Sequence, residues 1–415
     1  MKLNIQAMAW FLLTGGCLAG ISPLQAQKQI GLKKGPNISL NITNRQKDPE
    51  QTYLNIGLLS HFQQLSGVGI NLISSTVQGN ANGLQISGLT NICGVNASGV
   101  TLSSIANVAG GNLHGIAISG LMNIGGKQVS GVQFSALGNV GGTTLNGVSF
   151  SGLINLSGKD ATGFHLAGLA NISRNNYKGV ALGGLMNACG KDSKGLQITT
   201  LMNVAANSSK GVQLAGLGNV SVTNQGLQLA CANYSEKNEG LQLGIANFSN
   251  KGRKGLQLGI INISADSTAR QCGIINLRPK TRIQLLVSGG NANKFNLAVR
   301  FKNRYTYTQL GAGAYYLDMN QDFSFSGFYR TGIYIPLTTR LTLDGGIGYY
   351  HIETLDNKNA GLPARMYAFE PRISLEYQIL KRLGLFVAGG YNWTRTYQGD
   401  KFENKGIFEA GLVLF

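Results

Sequence analysis

The chain is expected to be all-β, with an N-terminal parallel β-solenoid repeat array followed by a small antiparallel, eight-stranded membrane β-barrel. Three observations lead there. Glycine recurs every sixteenth residue from Gly83 to Gly211, with an asparagine eight residues after each. Charge is nearly absent from the first ten residues of every repeat, and aromatic content rises abruptly near residue 280. With 59 glycines, 7 prolines and 13% charged residues among 415, the composition points to ordered, turn-rich β structure.

Residues 1–26 read as an export signal: Lys2, an apolar stretch from Ala7 to Ile21, then Leu24-Gln25-Ala26 as the cleavage site. The stretch is too short and glycine-broken to span a bilayer as a helix. Cys17, after Thr14-Gly15-Gly16, is a candidate lipidation site. Residues 27–52 form a lead-in segment.

The repeat domain is placed at 53–278, with degenerate units at 53–82, regular sixteen-residue units at 83–225 and shorter units at 226–278. The unit reads Gly-φ-Gln-φ-small-small-Leu-x-Asn-φ followed by about six polar residues, as in Gly131-Val132-Gln133-Phe134-Ser135-Ala136-Leu137-Gly138-Asn139-Val140. Such a unit is too short to bury its own apolar face, so copies must stack. Alternation around the glutamine is strand-like, and no helix tolerates this much glycine. Lys127, Lys159, Arg174, Lys191 and Lys210 all fall in the connection, so one corner of the coil is wet. Leu113, Val129 and Leu145 imply a buried edge beside it. Stacking predicts an amide ladder through Asn91, Asn107, Asn123, Asn139, Asn155, Asn171, Asn187, Asn203 and Asn219. The alternative is one large antiparallel outer-membrane barrel, because ten uncharged residues and a polar turn also suit a membrane strand.

Residues 281–415 hold eight expected strands, joined by short turns near Asn303, Pro336 and Lys381 and longer loops near Gly290, Asn320, Asn359 and Asp400. Short turns on one side and long loops on the other mark an outer-membrane barrel. Leu341, Leu343, Ile347 and Tyr349 alternate with polar or small residues, so Arg330, Asp344, Arg372 and Glu376 are expected to form a polar network in the lumen.

The array, with Gly255-Leu256-Gln257-Leu258-Gly259-Ile260-Ile261-Asn262, resembles the bacterial surface-repeat proteins of that pattern. Residues 281–415 are similar to the small eight-stranded outer-membrane barrels. The resemblance implies no catalytic residues and a cell-surface location. Barrel topology instead puts the repeats on the periplasmic side, since an even strand number leaves both ends with the short turns.

Chemistry is sparse. His61, His114, His165 and His351 have no partners at metal-ligand spacing. Cys93, Cys189, Cys231 and Cys272 lie too many coils apart to pair and are expected as free core thiols. Asp160 and Asp192 each follow a lysine and read as ion-paired surface residues. No catalytic residue, metal site or cofactor is expected. A glycan-acting enzyme would need a carboxylate pair that the sequence does not offer. The net charge of +18 in an exported chain suggests an anionic surface polysaccharide or another surface protein as partner, beside outer-membrane lipid, and no nucleic acid. The expectation is a non-enzymatic outer-membrane protein whose barrel carries a scaffold or interaction surface. Its binding stripe would run through Gln133, Gln197, Gln213, Gln228, Gln242 and Gln257. A pore-forming or transport barrel is the alternative function.

Overall fold

The computed structural model describes residues 33–45, 50–252, 254–315, 317–318, 322–355, 363–397, 399 and 402–414, and every regular element among them is a β-strand. The export signal and Cys17 lie outside the described residues. The chain divides into two compact units, Met1–Gly244 and Ile245–Phe415. The composition change near residue 280 therefore falls inside the second unit, which takes in the last repeats as well as the barrel.

A regular coil contains two strands. Gln128–Ser135 is followed by a bend at Ala136-Leu137, then Gly138–Gly141, then a connection into the next coil at Thr144–Ser151. Pairing between coils is parallel and in register with the repeat. Gly131 lies between Gly115 and Gly147, and Asn139 between Asn123 and Asn155. The corners stack too: Leu137 N donates to Leu121 O at 2.9 Å and Thr143 N to Lys127 O at 2.6 Å. Parallel pairing excludes the single large antiparallel barrel. After Gly211 the repeat shortens, and Val212 pairs with Leu227 and Gly218 with Ala232. The parallel array also starts earlier than the repeat pattern does, because Lys33–Arg45 within the lead-in pairs with Glu50–Phe62.

The invariant glycine has two separate causes. At Gly131 φ is +104°, a region that L side chains rarely adopt. A Cβ there would also lie 2.2 Å from the Gly115 carbonyl oxygen of the preceding coil. At the dry edge Val129 is buried beside Gly125, where a Cβ would lie 2.7 Å from the Val129 Cγ2, and Leu113 is buried in the same cluster as Ala109.

In the second unit, eight strands form a closed antiparallel barrel. They are Arg282–Gly290, Phe295–Lys302, Thr306–Ala314, Asp322–Pro336, Leu341–Thr354, Arg365–Leu380, Leu383–Thr396 and Glu403–Leu414. The last strand returns to the first through pairs running from Leu285–Leu414 to Gly290–Glu409. Alternation is clearest in Arg365–Leu380, where Ala368, Glu370, Arg372, Ser374 and Glu376 point inward while Phe369, Ile373, Leu375 and Tyr377 point outward. The repeat strand Arg270–Leu277 is fastened to this barrel. Tyr329 Oη donates to Gly273 O at 3.2 Å, and Asn303 Nδ2 to Asn276 O at 3.3 Å.

Replacing the glycine tests the stacking directly. Gly131→Ala should destabilise the array by about 3 kcal/mol or more, since it combines a disfavoured φ with a backbone collision. A urea unfolding curve followed by far-UV circular dichroism measures it; an unchanged midpoint contradicts the close approach of coils.

Candidate functional site

The asparagine amides form a continuous ladder inside the first unit. Asn91 Nδ2 donates to Asn107 Oδ1 at 2.9 Å, and the same bond repeats to Asn123, Asn139, Asn155, Asn171, Asn187, Asn203 and Asn219 at 2.8–3.1 Å. The Asn219 amide continues it to Asn233 at 3.0 Å. Each Nδ2 also donates to a backbone carbonyl of the next coil, as Asn139 does to Phe150 O at 2.9 Å. One polar side chain per coil is thereby satisfied in an interior closed to water. In the second unit Asn247, Asn262 and Asn276 are linked in the same way at 2.9 Å.

The glutamine stripe is not a binding face. Gln133, Gln197, Gln213, Gln228, Gln242 and Gln257 are all at most 1% exposed, because the glutamine points into the coil and its apolar neighbours point out. Strand alternation defines two faces without saying which one is inside. Stacking lets the glutamines bond one another: Gln213 donates to Gln197 at 2.8 Å, Gln228 to Gln213 at 3.0 Å and Gln242 to Gln228 at 3.1 Å. This ladder runs opposite to the asparagine ladder, with amides donating to the preceding coil. Where that coil carries alanine the ladder breaks. Gln133 and Gln197 face Ala117 and Ala181, and their Nε2 groups have no partner. Gln257 accepts from Gln271 at 2.9 Å.

What the array shows to its surroundings is apolar. Leu89, Ile105, Leu121, Leu137, Leu153, Leu169, Leu185, Leu201 and Leu217 form an outward row, each 39–58% exposed. Ile86, Leu102, Ile118, Phe134, Phe150 and Leu166 form a second outward row, with the Phe134 and Phe150 rings stacked at 4.8 Å. Charged side chains gather in and beside the connection: Lys127, Lys159, Arg174 and Lys191 are exposed in it, and Lys178, Lys194 and Lys210 are exposed on strands. Asp160 and Asp192 do not pair with the lysines before them. Asp160 accepts from Asn176 Nδ2 at 2.8 Å and Asp192 from Asn207 Nδ2 at 2.7 Å, each one coil further on.

The cysteines divide by position. All four are free; Cys93 and Cys189 are buried, while Cys231 and Cys272 are exposed. The first two stand two residues after the inward asparagine. Cys272 instead pairs with Leu258 in an outward row, so it is not a core thiol, and neither is Cys231, exposed on the strand Leu227–Asn238. Burial pushes the Cys189 thiol up to about 12 and raises that of Cys93.

Inside the barrel, Arg330, Asp344, Arg372 and Glu376 are all buried in the lumen but do not form one network. Arg330 makes a two-pronged contact with Glu409, Nη2–Oε2 at 2.6 Å and Nη1–Oε1 at 3.2 Å, and its Nε donates to Tyr350 Oη at 2.6 Å. Arg372 Nη1 shares Glu409 at 2.5 Å and Glu370 at 3.4 Å. Glu376 belongs elsewhere, with Arg300 at 2.5 Å and Lys302 at 3.4 Å. Asp344 accepts from Tyr307 Oη at 3.0 Å and from Ser374. The residues not anticipated, Glu370, Arg300 and Lys302, sit at alternate positions on strands whose inward phase was already readable.

Among the described residues no three His, Cys, Asp or Glu side chains group as metal ligands. Glu370 and Glu409 are both held by guanidinium groups, which suits a structural lock rather than proton transfer. No protein-family model matches the chain, and a search of curated proteins finds no relative.

One histidine gives the array a pH response. His165 occupies the glutamine position, is fully buried and meets the Tyr177 ring edge-on at 5.4 Å. Burial pushes its ring down to about 4 from 6.5, with the Thr162 backbone opposing only in part. The unfolded chain therefore binds a proton first as pH falls. The stabilising contribution is whole above pH 6.5 and is lost between 6.5 and 4, up to about 3 kcal/mol. His165→Gln should flatten the stability profile across that window; denaturation midpoints at pH 7 and 4.5 that fall equally in both proteins contradict it.

Proposed function

We propose that this chain is a non-enzymatic outer-membrane protein whose barrel anchors the repeat array as a scaffold. The observation that carries the reading is the inverted polarity of the closed barrel. Ile283, Leu297, Ile333, Ile373, Leu385 and Phe408 are exposed on its outside, while its interior holds buried ion pairs. A water-facing barrel would have the opposite arrangement, whereas lipid favours this one. Aromatic side chains gather toward the long-loop end, where Tyr367 packs on Tyr397 at 5.2 Å and on Phe402 at 5.9 Å. Such rings suit a membrane–water boundary.

A pore is disfavoured by the same interior. Arg330, Tyr350 and Ile352 are among the fully buried side chains, and small barrels of eight strands are filled by their own residues. The array contributes no acid–base pair to this reading. It contributes a long, regular surface whose outward rows are apolar and whose edge is basic. The sixteen-residue spacing supports membership of the bacterial surface-repeat proteins. Strand parity supports the periplasm instead of the surface as the location of the array.

Protease treatment of intact cells tests both parts of this. The repeats should survive until the outer membrane is permeabilised, and the barrel should stay in the membrane fraction after a urea wash. Cleavage of the repeats on intact cells contradicts the periplasmic location. Release of the whole chain by urea contradicts the anchor.

A further inference from the structure

The short-turn end of the barrel carries a feature that the scaffold reading does not use. A cavity of about 710 Å³ opens there, lined by Arg278, Lys280, Arg282, Lys302, Arg304 and Arg340. The single carboxylate in its wall is Glu376, so the lining carries a net of five positive charges. That carboxylate is also already engaged, since Arg300 lies 2.5 Å from it and Lys302 3.4 Å. Two buried cations thus share one anion at the cavity floor, and the charge of the rim is left without compensation from the lining.

The site is shaped by fixed groups as well as by mobile ones. Lys302 lies 4.4 Å from the centre of the Tyr334 ring, and Tyr334 Oη donates to the Asn303 carbonyl. Arg278 is held by Nε–Asn303 Oδ1 at 3.1 Å and Nη1–Ala269 O at 2.7 Å. Arg282, Arg304 and Arg340 are exposed around the mouth. Threonine hydroxyls from the turn at Thr338 and Thr339 add neutral donors. Guanidinium forks ringing a cavity match phosphate or carboxylate oxygens in pairs, and concentrated like charge attracts an anion over some distance.

We infer that this basin binds a ligand bearing two or more phosphate or carboxylate groups. The inference concerns the second unit alone and stands whether or not the array is a scaffold. Its ligand comes from one of two sources with shared chemistry, an anionic lipid headgroup or a soluble polyanion.

Isothermal titration calorimetry of the full chain in neutral detergent, with inorganic tripolyphosphate as probe, tests it. One saturable site is expected, weakening as salt rises. The double variant Arg282→Gln/Arg304→Gln should weaken it by about tenfold or more. Lys381→Gln/Arg382→Gln removes two exposed cations from a short turn that does not line the cavity, and should change affinity by less than about twofold. No saturable heat, or equal weakening by both double variants, overturns the proposal. Displacement of the probe by short-chain phosphatidylglycerol, but not phosphatidylcholine, assigns the site to a lipid headgroup. Retention of the probe against both assigns it to a soluble polyanion.

Discussion

The hydrogen bond from each asparagine amide to the same residue one coil away governs the array. Stacked coils repeat at about 4.8 Å, which is the spacing at which identical amides bridge. A polar group can then sit in a dry interior without the usual desolvation loss, because its partner is supplied by the repeat itself. Register follows from the same bond. A slip of one residue would bring Leu156 or Ile154 against Asn139 and leave donors on both coils unmet. The positive-φ glycines serve this arrangement by letting successive backbones approach without a Cβ between them.

The polar interior also explains the surface. With asparagine, glutamine and serine directed inward, the alternate residues must face outward, and these are leucine, isoleucine, valine and phenylalanine. Each is half shielded by its own copies above and below, so a row of leucines at about 40% exposure is less costly than isolated leucines would be. The basic connection then stands out as the hydrophilic edge of an otherwise apolar coil.

Much of this was legible in the sequence. The period, the stacking of one repeat per coil with a buried edge at Leu113 and Val129, and the barrel strands all follow from spacing and turn chemistry; the division of each coil into two strands came only from the structure. The phase of the alternation was not legible, since a period of two is symmetric between inside and outside. A physical clue existed. The glutamine position varies among Thr101, Ala117, Ser149, His165 and Ala181 and never carries lysine or arginine, as an enclosed position requires. Its neighbour varies from Ile118 to Phe134, a change in bulk that a narrow interior could not absorb. In the barrel the inward phase was readable from Glu370, Arg372, Ser374 and Glu376. Their partners were not, because strand stagger decides that Arg330 meets Glu409 and not Asp344.

The central claim is that the array needs a polar core. Asn155→Leu tests it most directly, because leucine keeps the same branched skeleton while removing the donors to Asn171 and Leu166 O and the acceptor for Asn139. Equilibrium unfolding in urea of the full chain should show a loss of about 4 kcal/mol, the cost of several buried polar groups left unpaired. A variant as stable as the parent, or more stable, would mean that apolar packing holds the coils together and would contradict the account.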